Sequence, residues 1–177
     1  SIRKSDVSTL KSIPLMNESY ETTHTSIIDE NGMAVSVTTT INSNYGSKLI
    51  IDDAGFFMNN EMNDFSLKPG VPNQFGLIGA EANAIQPHKR MLSSMTPTIV
   101  LDKEGDVSHI IGTPGGSTII TSILQNLIAM IDYDITIDSS IAMPRFHHQW
   151  IPDTVIYEDG AFTSEVLDSL HSLGHAT

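Results

Sequence analysis

The chain has 177 residues, and its 21 acidic against 9 basic side chains give a net charge of −12. This charge disfavours nucleic acid and anionic membranes as partners, because neither is attracted to an acidic surface. The absence of cysteine excludes disulfides, thiol catalysis and cysteine-ligated zinc. Hydrophobic residues make up 40% of the chain, which is typical of one globular domain with a sizeable core.

The first 21 residues are mixed and polar, contain Pro14 and show no clean period, so they predict an extended or poorly ordered lead-in. Their opening stretch, SIRKSDVSTLK, does not have the pattern of a signal peptide. If the protein is exported, we expect its signal to lie upstream of this chain. No apolar run anywhere in the sequence is long enough to span a bilayer.

Two strand-like runs flank a turn directly after this lead-in. TTHTSIID begins at residue 22, Glu30-Asn31-Gly32 follows, and MAVSVTTTIN ends at residue 42. Asn-Gly between two such runs predicts a β-hairpin, since both residues tolerate positive φ. Both arms are rich in Ser and Thr. A purely structural hairpin is the simpler interpretation, because Thr favours strands in any case.

The stretch from residue 42 to residue 87 has no sustained period. Residues 42–47 form a turn cluster, and Lys48-Leu49-Ile50-Ile51 is a short apolar run compatible with a strand. Residues 66–87 are rich in Pro, Gly and Asn and predict a loop. A loop of this length in a compact domain usually has a function or is disordered.

A second hairpin and three helices are predicted in the rest of the chain. Residues 98–101 and 107–111 flank a Gly-containing turn. Ser117 is a candidate N-cap for a helix with one buried face, formed by apolar residues at helical spacing: Ile119, Ile120, Ile123, Leu124, Leu127, Ile128 and Ile131. A short helix over 137–142 and a last helix that opens at 162–165 and ends at Gly174 follow. Because strands precede helices, the sequence predicts an α+β fold rather than alternating βαβ units.

Two of the candidate sites involve backbone donors and paired acids. Gly115-Gly116 lies between a strand and a helix, where consecutive N–H groups suit an oxyanion or a phosphate. A plain tight turn explains the same residues. Glu61 and Asp64 stand three residues apart and form a candidate acid pair, although such a pair is more often a solvated surface.

Two other patterns carry weaker signals. His147-His148 are candidate metal ligands, but neighbouring residues in a strand point to opposite faces and do not easily share one ion. Ser93-Ser94 has no base nearby in the sequence, so the residues alone give no support for a Ser-His triad. Neither pattern predicts a metal or a cofactor.

Several segments occur in a specific order between residues 22 and 175: TTHTS at 22–26, VSVTTTIN at 35–42, NNEMNDF at 59–65, KPGVPN at 68–73, KRMLSSMTPT at 89–98, GTPGGS at 112–117 and MPRFHHQW at 143–150. In this order they resemble the small-subunit region of the gamma-glutamyltranspeptidase family. The resemblance implies the N-terminal-nucleophile hydrolase fold, an αββα sandwich, here as its small-subunit portion. Members of this family are made as a precursor that cleaves itself into a large and a small subunit.

The resemblance also divides the chain. It implies that residues 1–21 are the end of the large-subunit region and that residues 22–177 are a small-subunit domain truncated before the family's last strands. The implied cut lies between Glu21 and Thr22. The large subunit of the same precursor is then an implied partner, and it supplies the arginine that clamps the substrate α-carboxylate in the family.

Thr22 is implied to become the new N-terminus and the nucleophile. A Thr hydroxyl is a weak nucleophile without an adjacent base, and a free α-amine supplies one. Thr40 is the implied second threonine, which the hairpin can place near Thr22. Gly115 and Gly116 are the implied oxyanion-hole donors. The implied contacts of the substrate α-ammonium are Asn42, Glu61 and Asp64. The implied contacts of its α-carboxylate are Ser93 and Ser94.

The implied activity is transfer or hydrolysis of γ-glutamyl groups, with water, an amino acid or a peptide as acceptor and with no cofactor. Its implied location is periplasmic or extracellular. Thr25, Asn63 and Thr118 depart from residues common in the family, but none replaces a nucleophile, oxyanion donor or substrate anchor. A relative that acts on another acyl chain, such as a cephalosporin side chain or poly-γ-glutamate, and an unprocessed, inert fragment are the alternatives.

Overall fold

The computed structural model describes residues 22–177, which contain both helices and strands. The predicted lead-in over 1–21 lies outside the described residues. The strands pair as three antiparallel two-stranded sheets, β1-β2, β3-β4 and β5-β6. The elements in chain order are β1 Thr23–Ile28, β2 Ala34–Thr39, β3 Thr98–Leu101, β4 Val107–Ile111, α1 Ile119–Asp132, α2 Ile137–Ala142, β5 Phe146–His147, β6 Ile156–Tyr157 and α3 Ser164–Ser172.

The first hairpin is confirmed, with its turn at the predicted residues. Asp29 N–H donates to Met33 O, which closes a loop over residues 30–32. Gly32 alone in this loop adopts positive φ, at +83°. The Asp29 carboxylate accepts the N–H groups of Asn31 and Met33, and this local turn leaves only the last loop position in the left-handed region.

The second hairpin is also confirmed, and it lies against the first. β3 and β4 pair from Thr98↔Ile111 inwards, with an irregularity between Val100 and Leu101. The Ser26 hydroxyl of β1 donates to Ile110 O of β4 at 3.2 Å. This bond links the two hairpins on the side that leads from β4 to the start of α1.

The run at residues 48–51, which is compatible with a strand, forms an isolated bridge between Ile50 and Phe57 rather than a regular strand. Backbone hydrogen bonds flank this bridge, from Ile51 N–H to Phe56 O and from Met58 N–H to Leu49 O. Turns bracket the segment on both sides, since Lys48 N–H donates to Tyr45 O and Gly55 N–H donates to Ile51 O. The chain between these turns is too short for a ladder of several residues. The predicted loop over 66–87 is confirmed, with a single 3₁₀ turn at Glu81–Asn83.

Helix α1 is confirmed, but two details of its prediction are wrong. Ser117 is not the N-cap, because residues 116–118 form a 3₁₀ turn and Thr118 holds the cap position. The helix also carries apolar side chains on more than one face. Ile119 and Ile123 are buried with Ile111 and Met130 in the core, whereas other predicted core residues are exposed: Ile120 by 48%, Leu124 by 52%, Ile128 by 41% and Ile131 by 61%.

The two remaining predicted helices are confirmed. α2 spans 137–142 as expected. In α3, the Thr163 hydroxyl accepts the N–H of Val166, and Gly174 follows the helix at φ +88°. A polar N-cap and a left-handed glycine are the usual signals of helix ends. Among the described residues, no helix combines the length and the apolar character needed to cross a membrane.

Candidate active site

One small cavity, of about 30 Å³, collects nearly all of the predicted site residues. Gly115 is the one predicted site residue that is not in its lining. The other residues of the lining, Phe75, Met95 and Ile119, are apolar. The predicted residues that line it are Thr22, Thr40, Asn42, Glu61, Asp64, Ser93, Ser94 and Gly116. Residues from four separate parts of the chain therefore converge on Thr22.

The hairpin register explains how Thr22 and Thr40 meet. Thr23 pairs with Thr39, so the residues just outside this pair sit side by side at the open end of the hairpin. Thr22 is 7% exposed. The Thr40 Oγ1 accepts the N–H of Asn42 at 2.9 Å, which fixes the Thr40 side chain on the cavity side. A hydrogen bond between the two threonine hydroxyls in processed protein stays a prediction.

Asn42 is held in an unusual conformation by a ring of hydrogen bonds. Its φ is +75°, a region that Asn tolerates better than most residues. Its Nδ2 donates to Asn60 O at 3.1 Å, and its Oδ1 accepts the Nε2 of Gln74 at 3.1 Å. These two bonds fix which way the amide points, with Oδ1 on the side of the irregular loop that contains Gln74.

Glu61 and Asp64 lie on one short 3₁₀ turn that spans these two residues. Side chains three residues apart eclipse each other in a 3₁₀ turn, so both carboxyl groups reach the same cavity. Both residues are half-buried, which argues against a solvated surface pair. The Glu61 Oε1 atom is buried and has no hydrogen-bond partner within residues 22–177.

This setting raises the pKa of both carboxyl groups. Burial, followed by the negative charge and hydrogen bond of Asp64, raises the pKa of Glu61 to about 7. Burial also raises the pKa of Asp64, although the hydrogen bond from Glu61 opposes it. Near neutral pH the two acids therefore share a proton, and a cationic ligand would replace that proton.

The glycine pair takes backbone conformations that other residues rarely adopt. Gly115 has φ +138° and Gly116 has φ +56°. A Cβ atom on Gly115 would lie 2.6 Å from the Thr118 Oγ1. Gly115 caps the 3₁₀ turn and Gly116 is its first residue, directly before α1. The first N–H groups of a helix lack intrahelical acceptors, and the helix dipole is positive there. This arrangement suits an oxyanion, and Gly116 lines the cavity beside Thr22.

The two serines lie against the same turn. The Ser94 hydroxyl donates to Gly116 O at 2.9 Å, which ties the serine segment to the glycine pair. The Ser93 Oγ accepts the N–H of Met95 at 3.1 Å and its residue is exposed. The Ser93 hydroxyl hydrogen thus remains available for a carboxylate, whereas the Ser94 hydroxyl hydrogen points to Gly116 O.

The two histidines have different partners, and only His147 belongs to a strand, since β5 ends there. His147 is 7% exposed and contacts Thr121 and Gln149, whereas His148 contacts Asp153 at 3.0 Å. Over residues 22–177 there is no cluster of three or more His, Asp or Glu side chains that could hold a metal ion.

Sequence reasoning did not find the apolar wall of the site. A tight loop over residues 73–77, here called the Phe75 loop, is closed by the Asn73 Oδ1, which accepts the N–H groups of Phe75 and Leu77. Phe75 lines both the Thr22 cavity and a larger neighbouring cavity of about 630 Å³. The length of the 66–87 loop signalled a function, but no period or motif singled out Phe75.

Comparisons with known proteins agree with this geometry. A family model described as gamma-glutamyltranspeptidase matches residues 2–177. The glutathione hydrolase proenzyme of Escherichia coli is 48% identical over 157 residues, which cover 89% of this chain and 27% of that protein. The chain thus spans about a quarter of the length of this curated relative.

Solved structures give the same result. A mutant of the Helicobacter pylori gamma-glutamyltranspeptidase is similar with a TM-score of 0.83 and 51% identity, over 87% of this chain and 82% of that one. The Bacillus anthracis transpeptidase enzyme CapD is similar with a TM-score of 0.62 and 28% identity, over 87% and 75% of the two chains. With the family model matching nearly its whole length, the chain belongs to the gamma-glutamyltranspeptidase family.

Proposed function

We propose that the complete protein transfers γ-glutamyl groups from glutathione and related donors to water, amino acids or peptides. The observation that carries this proposal is the cavity in which Thr22 meets an acid pair and a helix-start glycine turn. A nucleophile, a cation subsite and an oxyanion subsite are the parts that this acyl transfer needs. The 48% identity to a glutathione hydrolase proenzyme supports glutathione as the donor class.

The catalytic nucleophile in this proposal forms when the bond between Glu21 and Thr22 is cut. Until then the Thr22 nitrogen is an amide and cannot act as a base. The freed α-amine has a reference pKa of about 7.7–8.0, so a useful fraction is neutral near neutral pH. It takes the hydroxyl proton of Thr22 as the oxygen attacks the γ-carbonyl of the donor.

The attack gives a tetrahedral intermediate whose oxyanion is stabilised by the N–H groups at Gly115 and Gly116. Its collapse breaks the γ-amide bond, and the protonated α-amine of Thr22 gives its proton to the leaving amine. An ester between the Thr22 oxygen and the glutamyl group remains. Water or an acceptor amine then attacks this ester, loses a proton to the α-amine and releases the glutamyl product.

Donor recognition in this proposal uses both ends of the glutamyl amino-acid group. Glu61 and Asp64, with the Asn42 Oδ1, accept hydrogen bonds from the α-ammonium. The Ser93 hydroxyl donates to the α-carboxylate, and the Ser94 hydroxyl does so by turning away from Gly116 O. Opposite charges in a half-buried cavity form strong, charge-assisted hydrogen bonds, and the buried Oε1 of Glu61 has an open acceptor position for the ammonium.

We further propose that residues 22–177 are the small-subunit part of a precursor and that residues 1–21 end its large-subunit part. The exposed apolar side chains of α1, such as Ile120, Leu124 and Ile131, support a partner that covers this helix. In the complete protein we expect the large subunit in this position and an αββα sandwich of the N-terminal-nucleophile hydrolase type. A periplasmic or extracellular location rests on the family resemblance alone.

The decisive experiment separates cleavage from catalysis in the complete protein. We expect N-terminal sequencing of the small subunit to start at Thr22. We expect Thr22→Ala protein assembled from two separately expressed pieces to bind a γ-glutamyl donor without turning it over. If this pre-cut variant reacted at the rate of the processed protein, Thr22 would not be the nucleophile. Turnover of poly-γ-glutamate or a cephalosporin side chain in preference to glutathione would favour the other acyl donors.

A further inference from the structure

A chain of side-chain hydrogen bonds connects α1 to the Phe75 loop. The Oγ1 of Thr121, on α1, lies 2.8 Å from His147 Nδ1, and the His147 Nε2 lies 2.9 Å from Gln149 Oε1. The Gln149 Nε2 then donates to Phe75 O at 3.2 Å. Three residues therefore tie the helix that begins at the glycine turn to the loop that walls the nucleophile cavity.

The direction of these bonds follows from what each group can donate. The Gln149 Nε2 also donates to Ile151 O at 3.1 Å. Both of its partners are carbonyl oxygens, which only accept, so the amide nitrogen must face them and Oε1 must face His147. His147 Nε2 must then carry its hydrogen. Two backbone carbonyls thus fix the Gln149 amide. At the other end, His147 Nδ1 accepts from the Thr121 hydroxyl, whose oxygen also lies 3.0 Å from Thr118 O.

Burial makes the histidine costly to replace with a residue that cannot donate. His147 is 7% exposed, while its neighbour His148 is exposed. Removing one partner of a buried hydrogen bond leaves the other unsatisfied, which costs more than the bond itself contributes. His147 therefore does more than pack in the interior. Through Gln149 it restricts the position of the Phe75 backbone.

We propose that His147 and Gln149 are positioning residues that hold the backbone of Phe75 in place as the wall between the nucleophile cavity and the neighbouring cavity. This inference rests on the proposed function, since Phe75 faces the donor subsite only if Thr22 is the nucleophile. Without the hydrogen bond from Gln149, the Phe75 loop can move and Phe75 can lose its contact with the donor. The His147–Gln149 pair thus supports donor binding without touching the reacting atoms.

The test uses the complete, processed enzyme with Gln149→Leu and His147→Leu. Loss of one neutral hydrogen bond predicts a rise in donor KM of about three- to tenfold, with kcat changed less than about twofold. His147→Gln keeps a donor near the Nε2 position, and we expect it to restore KM to near the unmodified value. Gln149→Leu keeps the test valid if the buried His147→Leu protein does not fold.

Gln125→Leu is the matched control. The Gln125 Nε2 donates to Phe146 O at 2.7 Å and to Thr121 O at 2.9 Å. Gln125 therefore holds α1 against β5, as the network does, but it does not contact the Phe75 loop. The Gln125→Leu variant should lower the melting temperature about as much as Gln149→Leu does, and it should leave the donor KM unchanged. An equal KM rise in the control, or an unchanged KM in Gln149→Leu, would overturn the positioning role.

Hydrogen–deuterium exchange gives a readout that does not depend on turnover. A peptide that contains residues 73–77 should exchange faster in Gln149→Leu and His147→Leu than in the unmodified enzyme, and at the unmodified rate in Gln125→Leu. Unchanged exchange in all variants would refute the proposal. If the unmodified enzyme bound and turned over no γ-glutamyl donor, the proposed function would fail, while this exchange pattern would still decide whether the two residues hold the loop.

Discussion

The acid pair predicts that donor binding strengthens as pH rises through neutrality. With a pKa of about 7, Glu61 is about nine-tenths protonated at pH 6 and about one-tenth protonated at pH 8. An α-ammonium binds the ionised pair, so at the lower pH it must first expel the proton. Donor Kd should therefore fall by about tenfold from pH 6 to pH 8, or about 1.4 kcal/mol. Because Glu61 is only half-buried, water screens part of the shift and tenfold is the upper end.

The assay is calorimetric titration of a γ-glutamyl donor into pre-cut Thr22→Ala protein, which binds without reacting. At pH 7, buffers of different ionisation heat should report the release of about half a proton per site, since Glu61 is then about half protonated. The titratable side chains in the cavity are Glu61 and Asp64. The α-amine at position 22 titrates at a higher pH, about 7.7–8.0, and it is common to every variant in the comparison.

Glu61→Gln in the same pre-cut protein is the control. This substitution removes the titrating carboxyl and keeps the side-chain size. At pH 8 the Glu61→Gln protein should therefore bind the donor with a higher Kd than the pre-cut Thr22→Ala protein. The dependence on pH should also flatten between pH 6 and pH 8. A parent Kd that changes less than twofold over this range would contradict the shared proton. An undiminished dependence in Glu61→Gln would assign the titration to another group.

Three further outcomes follow from the site. Thr22→Ser should retain some self-cleavage and some activity, seen as two chains by intact mass, because the hydroxyl survives. Asp64→Ala should weaken donor binding by about 1.5–3 kcal/mol in titration and leave cleavage largely complete on gels; blocked maturation of folded protein would refute its substrate role. Gly115→Ala should lower kcat by about tenfold or more and lower the melting temperature, since its Cβ would crowd Thr118. Gly105→Ala, at φ +94° with open space around it, should lower the melting temperature alone; loss of kcat there too would contradict a local effect.

Much of the site was predictable because local rules fix it. The register of a hairpin follows from its turn, and it brings the residues outside Thr23 and Thr39 together. The spacing of Glu61 and Asp64 becomes a shared face as soon as the segment coils into a 3₁₀ turn. Family resemblance supplied the roles, and the structure shows that the residues are close enough to act together.

The Phe75 loop and the His147–Gln149 pair were not predictable in the same way. The loop has no period, and its contact with Gln149 joins residues 74 positions apart in the sequence. The prediction that His147 and His148 do not share one ion assumed a strand through both residues, but β5 ends at His147. The sequence did not indicate which of the two histidines is buried. The short apolar run at 48–51 has the same limit, because the turns on both sides leave it as a bridge rather than a regular strand.

Helix α1 connects these observations. Apolar spacing predicts that its side chains are covered, but not by what, and the described residues cover only the face with Ile119 and Ile123. The same helix begins at the glycine turn and is tied through Thr121 to the wall at Phe75. A subunit that packs on the exposed face would therefore contact the helix that carries the proposed oxyanion donors at one end. Because packed helices shift as units, assembly with the rest of the protein should sharpen the geometry at Thr22 as well as cover apolar surface.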